Sequence, residues 1–315
     1  MYNSVRIKDG ISVELSPFRR KTNSSHLEDS VTTFKSASIA FLVVCLSAIT
    51  HAQIPLNQPN GLAFDRNGNL YVANYGTSQV LIYDTSLNQV NSISAGLNGP
   101  TRVAFDTFGD LYVSNSINNN ITVYDQNLRQ VIPRTISKKV SRPSGLAVDA
   151  YGDVYVANNA TNTITMYDVN GDVVGTLFQD GNGRKFSAPG ALAIHGRNIY
   201  VGTGPTAGTN YVTSYNVGEL LTLHPTEVDT FTDSVNTGPT EVAFDQAGNV
   251  YISDFYSGTA TKYSPGGKLL LVINNQTSHC EGIALDKAGN IYVANVYANT
   301  ITIYDPNGNL INTLH

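Results

Sequence analysis

The residues able to do chemistry in this chain are few. They stand where a repeated line departs from its own pattern. Glu241, Asp254, Glu281 and Asn295 carry carboxylate and amide oxygens, the donors that suit a hard cation such as Ca²⁺. They are predicted as a divalent-cation set. Arg102, Lys185, Phe186, Tyr211 and His279 are predicted to meet a partner. Arg102 can also pair with the two glutamates instead. Histidine chemistry is thin: beyond residue 52 only His195, His224, His279 and His315 remain, and only His279 falls near the other candidates. Cys280 adjoins His279 on an extended segment, so the two side chains point to opposite faces and form no nucleophile–base pair. The chain holds no G-x-x-x-x-G-K, H-E-x-x-H or C-x-x-C. No catalytic residue is assigned, and no cofactor is required beyond a possible channel cation.

These positions are defined by the line they interrupt. PNGLAFDRNGNLYVAN at 59–74 recurs with changes from Pro100, Pro143, Pro189, Pro239 and Cys280. A period of about 40–50 residues with several short strands is the mark of a propeller. Each copy reads as strands such as GLAFD, LYVAN and QVLIYD, followed by a weaker fourth, as in GKLLLVI at 267–273. Between the first two strands stands D-x-x-G-N or D-x-x-G-D. There Asp bonds the backbone ahead of it and Gly takes the left-handed conformation.

Three columns are assigned to packing. Ala63, Ala104, Ala147, Ala193, Ala243 and Ala284 are expected where the first strands crowd the axis. Tyrosine recurs in the second strand from Tyr71 to Tyr292 and in the third from Tyr83 to Tyr304, expected between sheets with the hydroxyl at the rim. An Asn or Asp ends the second strand at Asn74, Asn115, Asn158, Asp254 and Asn295, either bonding the next turn or forming a polar ring. The loops entering each first strand and those between second and third strands share one face. Their irregularity makes that face the expected site. The fourth copy is swollen: a long GTGPTAGTN loop and an insertion at 218–239, with Arg184, Lys185 and Phe186 in the loop before it. A partner is expected along this rim.

The pattern P-x-G-[IVL]-A-[FVL]-D-x-x-G-[ND]-[IVL]-Y-V-[AS]-[ND] resembles the NHL-repeat family over 59–315. The resemblance implies an all-β, six-bladed propeller of four-stranded antiparallel blades. It also implies, from the gluconolactonase group of related propellers, a channel cation held by Glu, Asn and Asp, the position class of Glu241, Asp254, Glu281 and Asn295. Zinc lyases among related propellers use several histidines, which this chain does not gather on one face. Activity does not follow from such a fold, which hosts lactonases, lyases, sensors and binding scaffolds.

Composition narrows the partner. Charged residues make up 14% of 315 residues and the net charge is -5, against the basic patch that nucleic acid requires. Residues 38–50 form an apolar run too short to span a bilayer and end in Thr50-His51-Ala52. They predict a secretory signal peptide cut after Ala52. Residues 1–34 are then a long n-region or follow a start placed too early, with Val31 as the alternative start. LVVC at 42–45 hints at a lipoprotein signal, against which Val44 is large for that pattern. The expectation is therefore a secreted or periplasmic, monomeric propeller, 53–315, that binds a protein, peptide or glycan through its loop face. The alternative is a divalent-cation-dependent lactonase or esterase acting in the channel.

Overall fold

The computed structural model describes residues 53–179, 183–204, 211–217, 227–231, 238–274 and 277–315, with backbone only over 227–230. It also describes two short paired strands, Val5–Arg6 and Ser12–Val13. The chain divides into two units, Met1–Gln53 and Ile54–His315. The predicted leader otherwise lies outside the described residues. No helix among the described residues is long and apolar enough to cross a membrane.

The second unit is a six-bladed β-propeller. Blade one is the meander Pro59–Phe64, Leu70–Asn74, Gln79–Tyr83 and Gln89–Ile93, each strand antiparallel to the next. The first strand of every blade touches that of the next, and Cys280–Leu285 of blade six returns to Pro59–Phe64 of blade one, closing the ring. Closure uses no exchanged strand, because Leu310–Leu314 completes blade six from its own repeat. Side-chain packing joins the ends instead: Leu62 and Leu70 share a core with Ala284, Tyr292 and Ile301, and Phe64 meets Tyr292 edge-on at 5.0 Å.

Each blade packs on the next through one such core. Alternation along the strands sends successive side chains to opposite faces, so every sheet faces two neighbours. All twelve repeat tyrosines are buried. A buried hydroxyl needs a partner. Those of Tyr112, Tyr155, Tyr251 and Tyr292 face Oδ2 of the turn aspartate in their own blade, at 3.2–3.5 Å. The turn aspartates have a second task. Asp65 Oδ1 accepts the amides of Asn67 and Asn69 at 2.8 and 2.9 Å, and Gly68 takes φ 88° to close the hairpin.

Asparagine also links the blades. The Asn119 side chain accepts the Arg142 amide at 2.6 Å, Asn162 accepts that of Ala188 at 2.7 Å, and Asn299 accepts that of Gln58 at 2.7 Å across the closure. Each joins the loop after one blade's second strand to the residue entering the next blade. Between blades one and two Ser78 does the same for Gly99. At the junction of blades five and six the position is Gly258, which brings no side chain to the His279 amide.

Two expectations are corrected. Blade two has three strands: Asn120–Tyr124 is its last, and the short 3₁₀ turn Ile132–Arg134 stands in place of a fourth. Pro133 lacks the N–H a ladder needs, and only isolated bridges at Gln130 and Ile136 remain. The alanine column does not face the axis. Ala63 and Ala104, for example, pack into the cores between blades. The crowding lies at the glycine two residues earlier. A Cβ on Gly61 would stand 2.8 Å from the Arg102 backbone, and one on Gly282 2.2 Å from the Asn60 carbonyl.

Candidate functional site

In every blade the pairing of first and second strands slips just after the opening residue, for instance between Cys280 and Gly282. Such a bulge re-aims the side chain it displaces. In blade six that residue is Glu281. At the crowded glycine position, blade two carries Arg102 and blade five carries Glu241. The three side chains thus converge from three blades.

Arg102 comes from blade two and reaches blade five, directly opposite in a ring of six. Its Nη2 donates to the Thr240 carbonyl at 2.5 Å and lies 3.4 Å from Glu281 Oε2. Its Nε stands 3.8 Å from Glu241 Oε1 and has no hydrogen-bond partner among the described residues. The side chain is 4% exposed. It bars the channel. Glu241 Oε2 accepts the Ile283 amide at 2.8 Å. Burial pushes the Glu241 carboxyl up to about 7, held back by the Arg102 charge and by the Ile283 and Leu62 amides. Burial also raises Glu281, opposed by Arg102.

Above this floor lies a cup of about 450 Å³ on the loop face. Tyr75, Phe255 and Tyr297, from blades one, five and six, line one side, and Ser116, Ser144 and Asn159 of blades two and three line the other. The His279 ring braces the aromatic side, 5.1 Å from Phe255 and 4.6 Å from Tyr297.

The predicted cation set does not assemble. Glu241 and Glu281 come together, but around Arg102. Asp254 turns away: its oxygens accept the Gly238 and Ser257 amides at 2.6 and 2.8 Å. Asn295 accepts the Ser278 amide at 3.0 Å and donates to the Val293 carbonyl and to Thr302. Asn74, Asn115 and Asn158 make the equivalent bond to the entry loop of their own blade. The column clamps backbone and forms no polar ring. Among the described residues no group of three or more His, Cys, Asp or Glu side chains is placed to hold a metal. The donors present therefore do not fit the channel cation that the resemblance implies.

The partner candidates divide. Arg102 is buried in the channel rather than on a rim, because it is neutralised there. Phe186 is 3% exposed and packs on Tyr215, so it is core. Tyr211 is buried as well, under the Arg184 guanidinium 4.6 Å from its ring. Lys185 is exposed beside them. His279 lies at the cup. The parts of the fourth-blade loop and insertion at 205–210, 218–226 and 232–237 lie outside the described residues, as does His224. Cys280 is buried, and burial pushes its thiol up to about 12, against nucleophilic use.

Sequence reading missed two features. The aromatic wall follows the clamp residues, one place on at Tyr75 and Phe255 and two places on at Tyr297, positions readable once the column is aligned. A larger cavity, about 870 Å³, opens on the opposite face beside Tyr151, Arg66 and Arg197. There the blade-four hairpin, His195-Gly196-Arg197, is one residue shorter than its counterparts.

The NHL repeat model matches residues 56–83. The first blade is an NHL repeat. Its line recurs, with changes, in the other five blades. Solved structures match it as folds. Virginiamycin B lyase from Staphylococcus aureus is 12% identical, with TM-score 0.61, over 82% of this chain and 86% of that one. A gluconolactonase from Xanthomonas campestris is 15% identical, with TM-score 0.63, over 77% and 84%. A chain of a nidogen/laminin complex is 13% identical, with TM-score 0.61, over 81% and 92%. No curated protein sequence matches.

Proposed function

We propose that this NHL-type propeller is a secreted binding module whose ligand sits in the loop-face cup. One observation carries the reading: Arg102 closes the cup from below and holds the two carboxylates best placed for chemistry. What remains is a walled recess with aromatic and small polar sides, the build of a ligand pocket. That a chain of similar fold occurs in a nidogen/laminin complex supports the reading. The metal-dependent hydrolase draws no support from the donor geometry, since Asp254 and Asn295 are committed to backbone.

The test is a screen of peptides and glycans against purified protein, repeated with Tyr297→Ala. Tyr297 is 62% exposed, so its loss leaves the fold intact. Ligands retained by the parent and lost by the variant support the reading. An esterase or lactonase activity abolished by Glu281→Gln, with stoichiometric Ca²⁺ or Zn²⁺ in the purified protein, would reverse it.

A further inference from the structure

We infer that the cup takes a neutral saccharide, with an apolar ring face on the aromatic wall and hydroxyls toward the polar wall and the floor. This rests on the binding reading above and names its ligand class.

The two walls differ. Tyr75, Phe255 and Tyr297 occupy consecutive blades of the ring, six, one and five being neighbours, and Ser116, Ser144 and Asn159 face them from blades two and three, with Gln58 and Asn60 adding polar atoms from blade one. A pyranose has the same division. Its axial C–H bonds form an apolar face that stacks on an aromatic ring, and its hydroxyls lie round the edge.

The floor asks for a group that both donates and accepts. Arg102 and Glu281 both line the cup there, 3.4 Å apart. A hydroxyl accepts from a guanidinium and donates to a carboxylate at once. Among the charged groups that line the cup, Arg102 is paired with Glu281, and the exposed Arg142 stands at the rim. Among the described residues, nothing pairs with the side chains of Arg142 and Asn159, which leaves both free for ligand oxygens. The volume of about 450 Å³ lies at the small end for organic ligands and suits one or two sugar rings.

The test titrates the full chain with maltotriose, cellotriose and N,N′,N″-triacetylchitotriose, followed by calorimetry and saturation-transfer NMR. At least one is expected to bind saturably, with Kd in the range of about 10 µM to 1 mM. Tyr297→Ala is expected to weaken it about tenfold and Asn159→Ala about threefold. Saccharide binding indifferent to both substitutions overturns the placement. No binding by any of the three overturns the ligand class. A displayed peptide library, panned on the parent and counter-panned on Tyr297→Ala, separates the failures. Tyr297-dependent peptides without saccharide binding overturn the saccharide and leave the binding module standing. No ligand from either set overturns both.

Discussion

At Glu241 burial and charge pull in opposite directions. Its carboxyl ordinarily titrates near 4.5 and is pushed up to about 7 in the fold. The folded chain therefore holds a proton that the unfolded chain gives up earlier. The stability linked to that proton is complete below about 4.5 and is lost as pH rises through about 7. Glu241→Gln removes the penalty, keeps an oxygen for the Ile283 amide, and leaves Arg102 paired with Glu281 alone. It is expected to stabilise the protein by on the order of 1–3 kcal/mol above neutrality and to change little near pH 5, read by urea unfolding at the two pH values. Arg102→Met does the reverse. It strands two buried carboxylates and is expected to cost about 3–5 kcal/mol in base. The loss shrinks in acid, where both carboxyls take protons. Equal losses at both pH values would mean that Arg102 acts by packing alone.

In the second strand, the terminal amide decides how each blade meets its own entry loop. Asn158 is fully buried, accepts the Ser141 amide at 2.8 Å and donates to Thr165. Asn158→Ala is expected to cost about 1–3 kcal/mol, measured by thermal unfolding, because a buried amide loses its acceptor. Asp254 and Asn295 differ in what surrounds them. Asp254 accepts two amides, which suits a carboxylate. Asn295 donates to a carbonyl, so Asn295→Asp sets oxygen against oxygen and is expected to destabilise more than Asp254→Asn. The strands, hairpins and blade number were legible because a period-2 pattern and a turn signal recur in every copy. The site was less so. An Asn at a strand end is the same letter whether it faces a cation or clamps an amide, and only the bulge and loop path decide. Phe186 shows the same limit: its loop folds back, and an irregular stretch of sequence supplies core. The repeat pattern masks Pro133, whose missing N–H accounts for the absent fourth strand of blade two.

Across the whole propeller, the ring is shut by side-chain packing and by hydrogen bonds, from the Gln58 amide to Asn299 and from Lys287 Nζ to the Arg66 carbonyl, rather than by a shared strand. Phe64 on Tyr292 and Asn299 on Gln58 carry the last contact. Phe64→Ala is expected to cost roughly 2 kcal/mol and to speed hydrogen exchange in blades one and six together. Phe105→Ala, which removes the edge-on contact with Tyr71 at 4.9 Å, is expected to act on blades one and two. Uniform acceleration round the ring in both variants would mean that closure is no weaker than any other junction. The barred channel also makes the two faces independent. A ligand in the cup cannot pass to the larger cavity beyond, so blocking one is expected to leave the other unchanged.

The amide that reaches from one blade to the next has a consequence for descent. Among the described residues, the junctions one–two, two–three, three–four and six–one carry both halves of the connector, an Asn or Ser that accepts and a left-handed residue whose amide is taken. A gene that duplicates or drops a whole copy therefore joins matching ends, and copy number can drift until curvature forbids it. Gly258 breaks that rule. A copy inserted between blades five and six would inherit a mute end, which makes this boundary the poorest place in the described ring for growth by duplication.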